Sequence, residues 1–432
     1  MPEQADVVVI GAGQAGLSVS HELLRQGVPH LVLERGQVGQ TWRTRWDSFC
    51  LVLPNWTLRL PGHAYQGPEP DDYMLRDDLV AFLESYAHEF GAPVREGVEV
   101  HSLAARDGTG RFELETSESV LQPSTVVLAT GAYQRSHRPP GAAELPAGIA
   151  VFDAGSYVNP AAMPPGGVLI VGSGQTGCQL AEELHRSGRD VYLACGRTAW
   201  MPRRIEGRDV IAWLTETPFF EMTLADLPGP LARLAGNPQA TGRDHGHDLH
   251  YRTLAAMGVT LLGHFRGADD THAHFGGDLA ECVAFGDARY GDIRNLIHGS
   301  CDRTGRPRTE MPDPDPFQAR DPQSLDLRRV GSVIFTAGFR PDYASWVRIP
   351  GAFDEWGFPN HVDCQSTVAP GLFFVGVHFL RRRKSSLLMG VGEDASLVAS
   401  EVARRGGLKT SVGDRGLQAP GLATGRPSSP AV

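Results

Sequence analysis

Two short stretches carry residues spaced for one kind of chemistry. "GAGQAG" at 11–16 and "GSGQTG" at 172–177 share Gly11/Gly172, Gly13/Gly174 and Gly16/Gly177, with Gln14/Gln175 and the variable pair Ala15/Thr176 between them. In a G-x-G-x-x-G turn the first glycine makes a tight bend and the second lets the backbone approach a pyrophosphate. The third lets helix and strand pack closely. The phosphates then lie at a helix N-terminus, where free N–H groups and the dipole favour negative charge. A lone glycine turn says little. Here each copy has a hydrophobic strand before it and an apolar-periodic helix after it, the context the motif requires.

The copies differ where a ribose would lie. Glu34, followed by Arg35, ends the second strand of the first copy. A carboxylate there accepts hydrogen bonds from both ribose hydroxyls and repels a 2′-phosphate, so this copy suits FAD or NAD. In the second copy the aligned residue is Cys195, and "CGRTAWMPRR" supplies Arg197, Arg203 and Arg204. Arginine makes forked contacts with phosphate, so this copy reads as an NADPH site. For Arg203 and Arg204 a solvated basic loop is the ordinary alternative.

Around these turns the chain reads as strand, glycine turn, helix, helix-ending glycine (Gly27, Gly188) and second strand, twice over. "TVVLATGAY" at 125–133 and "SVIFTAGFRPD" at 332–342 are two further buried-type strands, each ending in a small turn: Thr130–Gly131 and Ala337–Gly338. Pro/Gly-rich 135–148 reads as a linker. A strand at 371–377 leads through a basic loop into a helix opening near Gly392. The expectation is an α/β protein with two Rossmann-like dinucleotide-binding domains. An FAD domain in two pieces, 1–150 and 340–405, receives an inserted NADPH domain at 155–335. Residues 406–432 are Gly/Pro/Ser-rich without periodicity and read as a disordered tail. The region 215–330 is the least legible.

Composition narrows the function classes. The chain has 432 residues, enough for a large core, and a formal net charge of −10, which carries no basic footprint for nucleic acid or anionic lipid. No apolar run approaches the roughly 20 residues that cross a bilayer. The start "MPEQADVVVI" lacks the basic opening of a signal peptide, so the cytoplasm is the expected compartment. Six scattered cysteines include no C-x-x-C pair, which argues against a disulfide reductase with paired thiols. "RDHGHDLHYR" at 243–252 brings His245, His247, Asp248 and His250 together, but not at metal-site spacing, and no metal is expected.

These residues together resemble the flavin-containing monooxygenase superfamily, and within it the bacterial CzcO-like flavoproteins, relatives of plant flavin monooxygenases and Baeyer–Villiger enzymes. The resemblance spans about 5–400 and rests on "GAGQAG" with Glu34, "QTWRTRWDSFCLVLPNW", "LATG", "GSGQTG", "TAGFRPD" and "SSLLMGVGEDA". It implies that NADPH reduces FAD, and that a flavin peroxide formed with O2 passes one oxygen to a small organic substrate. It places Trp42, Arg45, Trp46 and Asp47 beside the flavin ring system, with Val100 among the cofactor contacts. Asn55, in "LPNW", is put at the reactive side, so that Asn55, Trp46 and Asp47 are the catalytic candidates. A turn-capping role is the alternative for Asn55 and a core role for Trp46. Ser385, Ser386 and Leu387, with the helix opening at 392, are implied at the pyrimidine end.

One departure stands out. The F-x-G-x-x-x-H-x-x-x-Y/W fingerprint frequent in the superfamily is here "AGIAVFDAGSYVNP", with Asp153 at the His place and Tyr157 at the aromatic one. An NADPH oxidase or reductase, or a redox-sensing protein that holds both nucleotides without turnover, are the competing functions. A homodimer is left open as the assembly.

Overall fold

Apolar runs with no alternation build the two main sheets. "VVVI", "LVLE" and "TVVL" are buried almost throughout, as strands covered on both faces must be. The computed structural model describes residues 5–106, 108–234, 237–318 and 320–407. Most of the expected tail, 408–432, lies outside the described residues, while Gly406 caps the last helix.

The main elements are β1 (Val7–Ile10), α1 (Gln14–Arg25), β2 (Leu31–Glu34), β3 (Val94–Glu96), β4 (Thr125–Leu128), β5 (Ala150–Asp153), β6 (Gly167–Val171), α2 (Gln175–Arg186), β7 (Val191–Ala194), β8 (Thr260–Leu262), α3 (Leu279–Thr304), β9 (Val330–Phe335), β10 (Leu372–Phe374) and α4 (Val391–Arg405).

The first sheet runs β10-β4-β1-β2-β3, all parallel, with Val8 opposite Leu31, Val7 opposite Thr125 and Leu372 opposite Val126. An antiparallel hairpin, His361–Val362 with Gln365–Ser366, extends its β10 edge. Helices α1 and α4 pack against each other. The second sheet runs β5-β9-β6-β7-β8, also all parallel, with Val168 opposite Val191 and Ser332. Each sheet has its own buried cluster. The chain passes from the first sheet to the second after β4 and returns after β9. At the crossing, Arg135–Ser136 pairs antiparallel with Phe339–Arg340, so the outward and return segments are hydrogen-bonded neighbours.

The region 215–330 holds short 3₁₀ turns, the 26-residue helix α3 and a three-stranded antiparallel sheet, 265–268, 272–275 and 324–326. Among the described residues no helix is long and apolar enough to cross a membrane.

Candidate functional site: two dinucleotide cradles

The first cradle follows β1. Gly11 has φ +105°, and a Cβ there would stand 2.8 Å from the Ala129 carbonyl oxygen. A Cβ on Gly16 would come within 1.8 Å of the Gly11 carbonyl oxygen, which is how α1 docks on its strand. A Cβ on Gly13, by contrast, meets no protein atom within 4 Å. Two glycines are thus required by the protein itself, and the middle one faces open space that a ligand can enter. Gly13 is the N-cap of α1, with no side-chain cap and no acid in the first turn, so the orphan N–H groups remain available to an anion.

Beside it, the buried Glu34 carboxylate accepts from the Ala12 N–H at 2.8 Å and the Gly36 N–H at 3.0 Å. These bonds fix its orientation and leave lone pairs for ribose hydroxyls. Arg35 is exposed. Ala15 is buried, packed against the chain at Gly376, and offers backbone only. The Gly131 carbonyl accepts from Tyr343 Oη at 2.6 Å and Gln134 Nε2 at 2.7 Å, and Thr130 Oγ1 accepts from the same Gln134 amide at 2.9 Å.

Gln14 ties the far end together: Trp42 Nε1 donates to its Oε1 at 3.0 Å, and its Nε2 donates to the Ser386 carbonyl at 3.3 Å. Trp42 and Ser386 are thus joined to Gln14 at the start of α1, while Leu387 packs against the apolar cluster around Ile205 and Val210. Gln14 was visible only as the residue shared by both glycine motifs. Buried Ser385, next to them, accepts from the Arg381 and Arg382 N–H groups and holds the turn that opens α4.

The second cradle repeats the geometry. Gly172 has φ +109°, with Ala337 N 2.7 Å from its would-be Cβ, and Gly177 would place a Cβ 2.0 Å from the Gly172 carbonyl oxygen. A Cβ on Gly174 meets nothing within 4 Å, and α2 likewise begins without a side-chain cap. Thr336 Oγ1 donates to the Gly172 carbonyl at 2.5 Å and places the Ala337–Gly338 turn beneath it. Gln175 Nε2 reaches the Pro238 carbonyl at 3.3 Å, while Thr176, next in the first turn, is half-buried.

At the end of β7, Ser173 Oγ accepts from the Gly196 N–H at 2.8 Å, and Tyr251 Oη donates to the Gly196 carbonyl at 2.6 Å, which locks that turn. Arg197 projects from it, 64% exposed, with Glu281 3.9 Å away as its ion-pair partner. His264, in the turn after β8, is a second cation-capable group there. Its Nε2 lies 3.7 Å from the position of a Cβ on Gly196, and its Nδ1 is held by Asp278 at 3.0 Å. Sequence spacing gave no hint of it, because β8 lies deep in the illegible region.

Arg203 corrects the expectation for that loop. Its side chain is 2% exposed and ion-paired with Asp209 at 2.6 Å. It also donates to the Val52 carbonyl at 3.0 Å and sits 4.8 Å over the Tyr73 ring. Arg203 is a buried pin to the first unit, both of its terminal nitrogens bonded within the protein. Arg204 is spent on the Gly246 and His245 carbonyls, both at 2.7 Å.

The loop after β2 divides. Arg45 is half-buried, with its Nε unpartnered, and lies 5.9 Å from the Phe339 ring centroid. Trp46 is 4% exposed and packs into the second sheet's cluster, edge-on to Phe49, so the core role describes its surroundings. Asp47 is exposed; Arg76 at 2.9 Å and Asn159 Nδ2 at 2.7 Å hold it, and these bonds keep its carboxyl below the usual range. It is a tether between the units and has no proton to give. Asn55 is buried, its Nδ2 already donating to the Glu69 carbonyl at 2.9 Å, which leaves Oδ1 as the unpartnered atom. That bond reaches a carbonyl fourteen residues along the chain and caps no turn, and the second N–H of the amide remains for another acceptor. Val100 sits in the strand Val100–Arg106 opposite Thr116. Val98, whose N–H donates to the Glu34 carbonyl at 3.0 Å, adjoins the ribose end instead.

The histidine-rich stretch disperses: His245 faces Asp72, His247 faces Glu182, and His250 lies against Trp200. His264, Asp278 and Cys282 do bring ligand-type atoms within 4.8 Å of one another, but Arg266 already neutralises Asp278 at 3.0 Å. All six cysteines are free and buried. Burial pushes the thiols of Cys50 and Cys282 up to about 11 and about 12, and that of Cys178 higher, which disfavours their thiolates at neutral pH.

Two glycine cradles on two parallel sheets, one beside a carboxylate and the other beside exposed cations, define a two-dinucleotide-binding oxidoreductase. A family model described as pyridine nucleotide-disulphide oxidoreductase matches residues 8–222. An uncharacterized CzcO-like oxidoreductase of Geobacillus kaustophilus is 29% identical, over 93% of this chain and 99% of its own length. A probable indole-3-pyruvate monooxygenase of Arabidopsis thaliana is 25% identical, over 92% of this chain and 86% of its own. The solved flavin-containing monooxygenase of Stenotrophomonas maltophilia shares the fold, with a TM-score of 0.63 at 19% identity, over 93% of this chain and 99% of that one. Over more than nine-tenths of its length the chain is thus similar to CzcO-like oxidoreductases and to flavin monooxygenases.

Proposed function

We infer that this chain is an FAD- and NADPH-dependent monooxygenase that places one oxygen atom of O2 into a small organic substrate. The observation that carries the reading is the repeated cradle: the same three-glycine geometry twice, with Glu34 beside one copy and Arg197 beside the other. FAD fits the first, its pyrophosphate at Gly13 and its ribose hydroxyls on Glu34. NADPH fits the second, its pyrophosphate at Gly174 and its 2′-phosphate between Arg197 and His264. When bound, the flavin supplies the redox chemistry, taking electrons from the nicotinamide and passing them to oxygen. The chain binds, orients and excludes water: the Trp42–Gln14–Ser386 chain fixes the rim, and the Gln134–Tyr343 bonds fix the Thr130–Gly131 turn. The division into 1–150 with 340–405 around 155–335 belongs to the same proposal.

The test is spectroscopic. Purified protein should carry flavin absorbance, NADPH should bleach it anaerobically faster than NADH, and oxygen should then appear in product from a panel of amines, sulfides and ketones. Protein that neither retains nor binds flavin would overturn the reading.

A second reading, an oxidase or reductase without oxygen insertion, is favoured by Asp153. Both its oxygens are bound to Arg138 at 2.9 Å, and Tyr157 is 1% exposed in the core. The fingerprint positions are thus committed to structure. One hydrogen peroxide per NADPH and no oxygenated product would establish that alternative.

A further inference from the structure

The basic loop after β10 reads "RRRKSS" at 381–386. Arg381 bonds Asp394 at 3.2 Å, and Arg382 and Lys384 share Glu221 and Glu393. Arg383, in the middle of the run, has no acid among the described residues. Its guanidinium carbon lies 4.3 Å from the Phe219 ring centroid and 5.0 Å from that of Phe379, and both rings are buried. No described residue accepts a hydrogen bond from its side chain, and its Nε is enclosed without a partner. The residue is half-buried, and burial, with no carboxylate to oppose it, pushes the guanidinium down to about 10.

A guanidinium carries several N–H donors in a planar fork. Taking it out of water costs free energy unless an anion and hydrogen bonds replace the solvent. Arg203 and Arg233, also buried, follow that rule, each holding a carboxylate, Asp209 and Asp354. At Arg383 the ring faces supply cation–π attraction and leave the fork's edge unbonded. Its two terminal nitrogens have no partner among the described residues and, unlike Nε, are not enclosed, so they open onto free space.

The surroundings hold that fork in place. The Arg383 N–H donates to the Met222 carbonyl at 2.7 Å, and Arg382 and Lys384 reach Glu221 on the same segment. Three residues on, the Ser386 carbonyl accepts from Gln14, the first residue of α1 at the first cradle. Arg383 thus lies where the first unit's loop meets the segment 218–222 of the second, and such junctions commonly hold ligands.

We propose that Arg383 holds the carboxylate of a small organic acid, its two terminal nitrogens paired with the two carboxylate oxygens. Arginine's planar fork matches this group through two parallel N–H···O bonds. Phe219, Phe220, Leu387 and Met389 belong to one apolar cluster beside the loop, which suits an acid with an apolar body. A phosphate of either nucleotide offers similar oxygens, so the test separates the two sources. Calling the acid a substrate rests on the monooxygenase reading; the binding does not.

The experiment titrates purified full-length protein at pH 7 with phenylacetate and octanoate and with their neutral amides, by calorimetry. The expected result is at least one acid bound about tenfold or more tighter than its amide, as charged hydrogen bonds require. Arg383→Met keeps an unbranched stem against the two rings and should erase that preference. Its flavin content, NADP+ affinity and ligand-free melting midpoint should not fall, because the substitution strands no protein partner. Arg383→Lys, which keeps the charge without the fork, should bind the acid with intermediate affinity. Acids and amides binding alike, neither acid binding, or a preference that survives Arg383→Met would each overturn the proposal. Loss of flavin or NADP+ affinity in Arg383→Met would overturn it by assigning the fork to a cofactor phosphate. An unfolded ligand-free Arg383→Met would overturn it by making the arginine structural. Failure of NADPH to bleach the flavin would instead overturn the monooxygenase reading and leave the comparison of acid with amide standing.

Discussion

Replacing Arg197 with alanine should weaken 2′,5′-ADP while leaving 5′-AMP unchanged. The two probes differ by the 2′-phosphate alone, so the comparison isolates that contact from the pyrophosphate cradle. A charged hydrogen bond contributes about 1.5–3 kcal/mol when well shielded. Arg197 is 64% exposed, and water and salt screen it, so the lower end applies, about 1 kcal/mol. That corresponds to a roughly fivefold loss of 2′,5′-ADP affinity. Its ion-pair partner Glu281 stands 3.9 Å away and costs little to displace. Titration calorimetry at low salt is the assay, repeated at higher ionic strength, where the difference should shrink because an exposed pair is screened within about 10 Å at 0.1 M salt. His264→Ala should produce a second loss of the same kind. Equal weakening of both probes, or no weakening of either, would refute the assignment of the 2′-phosphate to this turn.

Arg203→Ala should act on stability and hardly on probe discrimination, lowering the midpoint of thermal unfolding through a loss of about 3 kcal/mol, because it strands buried Asp209. Gly13→Val should fold with little change in melting but lose bound flavin, since its Cβ meets only the space of the cradle, whereas Gly16→Ala drives a Cβ to 1.8 Å from a carbonyl oxygen and should not yield folded protein. Acid should destabilise through His250 and His378, both pushed by burial from 6.5 to about 4. A depressed histidine means that the unfolded chain binds more protons between those values. Stability is therefore complete above about pH 6.5 and falls as pH drops toward 4, by up to about 3 kcal/mol for each ring. Glu183 and Asp394, raised by burial, oppose this, so the measure is the difference between wild type and His378→Phe in urea melts at pH 7 and pH 5. A variant that loses as much stability as wild type would sink the assignment to His378.

Much of this architecture was legible because it rests on local rules. Both glycine turns, Glu34 and the apolar runs of β1, β4, β6 and β9 announce themselves through period and spacing. What the sequence concealed was partnership over long separations. Arg197 and Arg203 lie in one basic loop and look alike, yet one points to water and the other is buried against Tyr73, which no local pattern records. Trp46 sits among residues read as a cofactor wall, but its indole fills the other unit's core. The 215–330 region resisted because its short 3₁₀ turns have neither a helical nor a strand period, so His264 and Arg233 surfaced only in three dimensions.

The antiparallel pairing of Arg135–Ser136 with Phe339–Arg340 has a mechanical consequence. A single covalent crossing between two bodies is a swivel, free to turn about any axis. Two crossings zipped by main-chain hydrogen bonds form a strap, which flexes across its flat face and resists torsion. Together with the Arg203 pin and the Asp47 tether, this strap resists rotation of one cradle about the other.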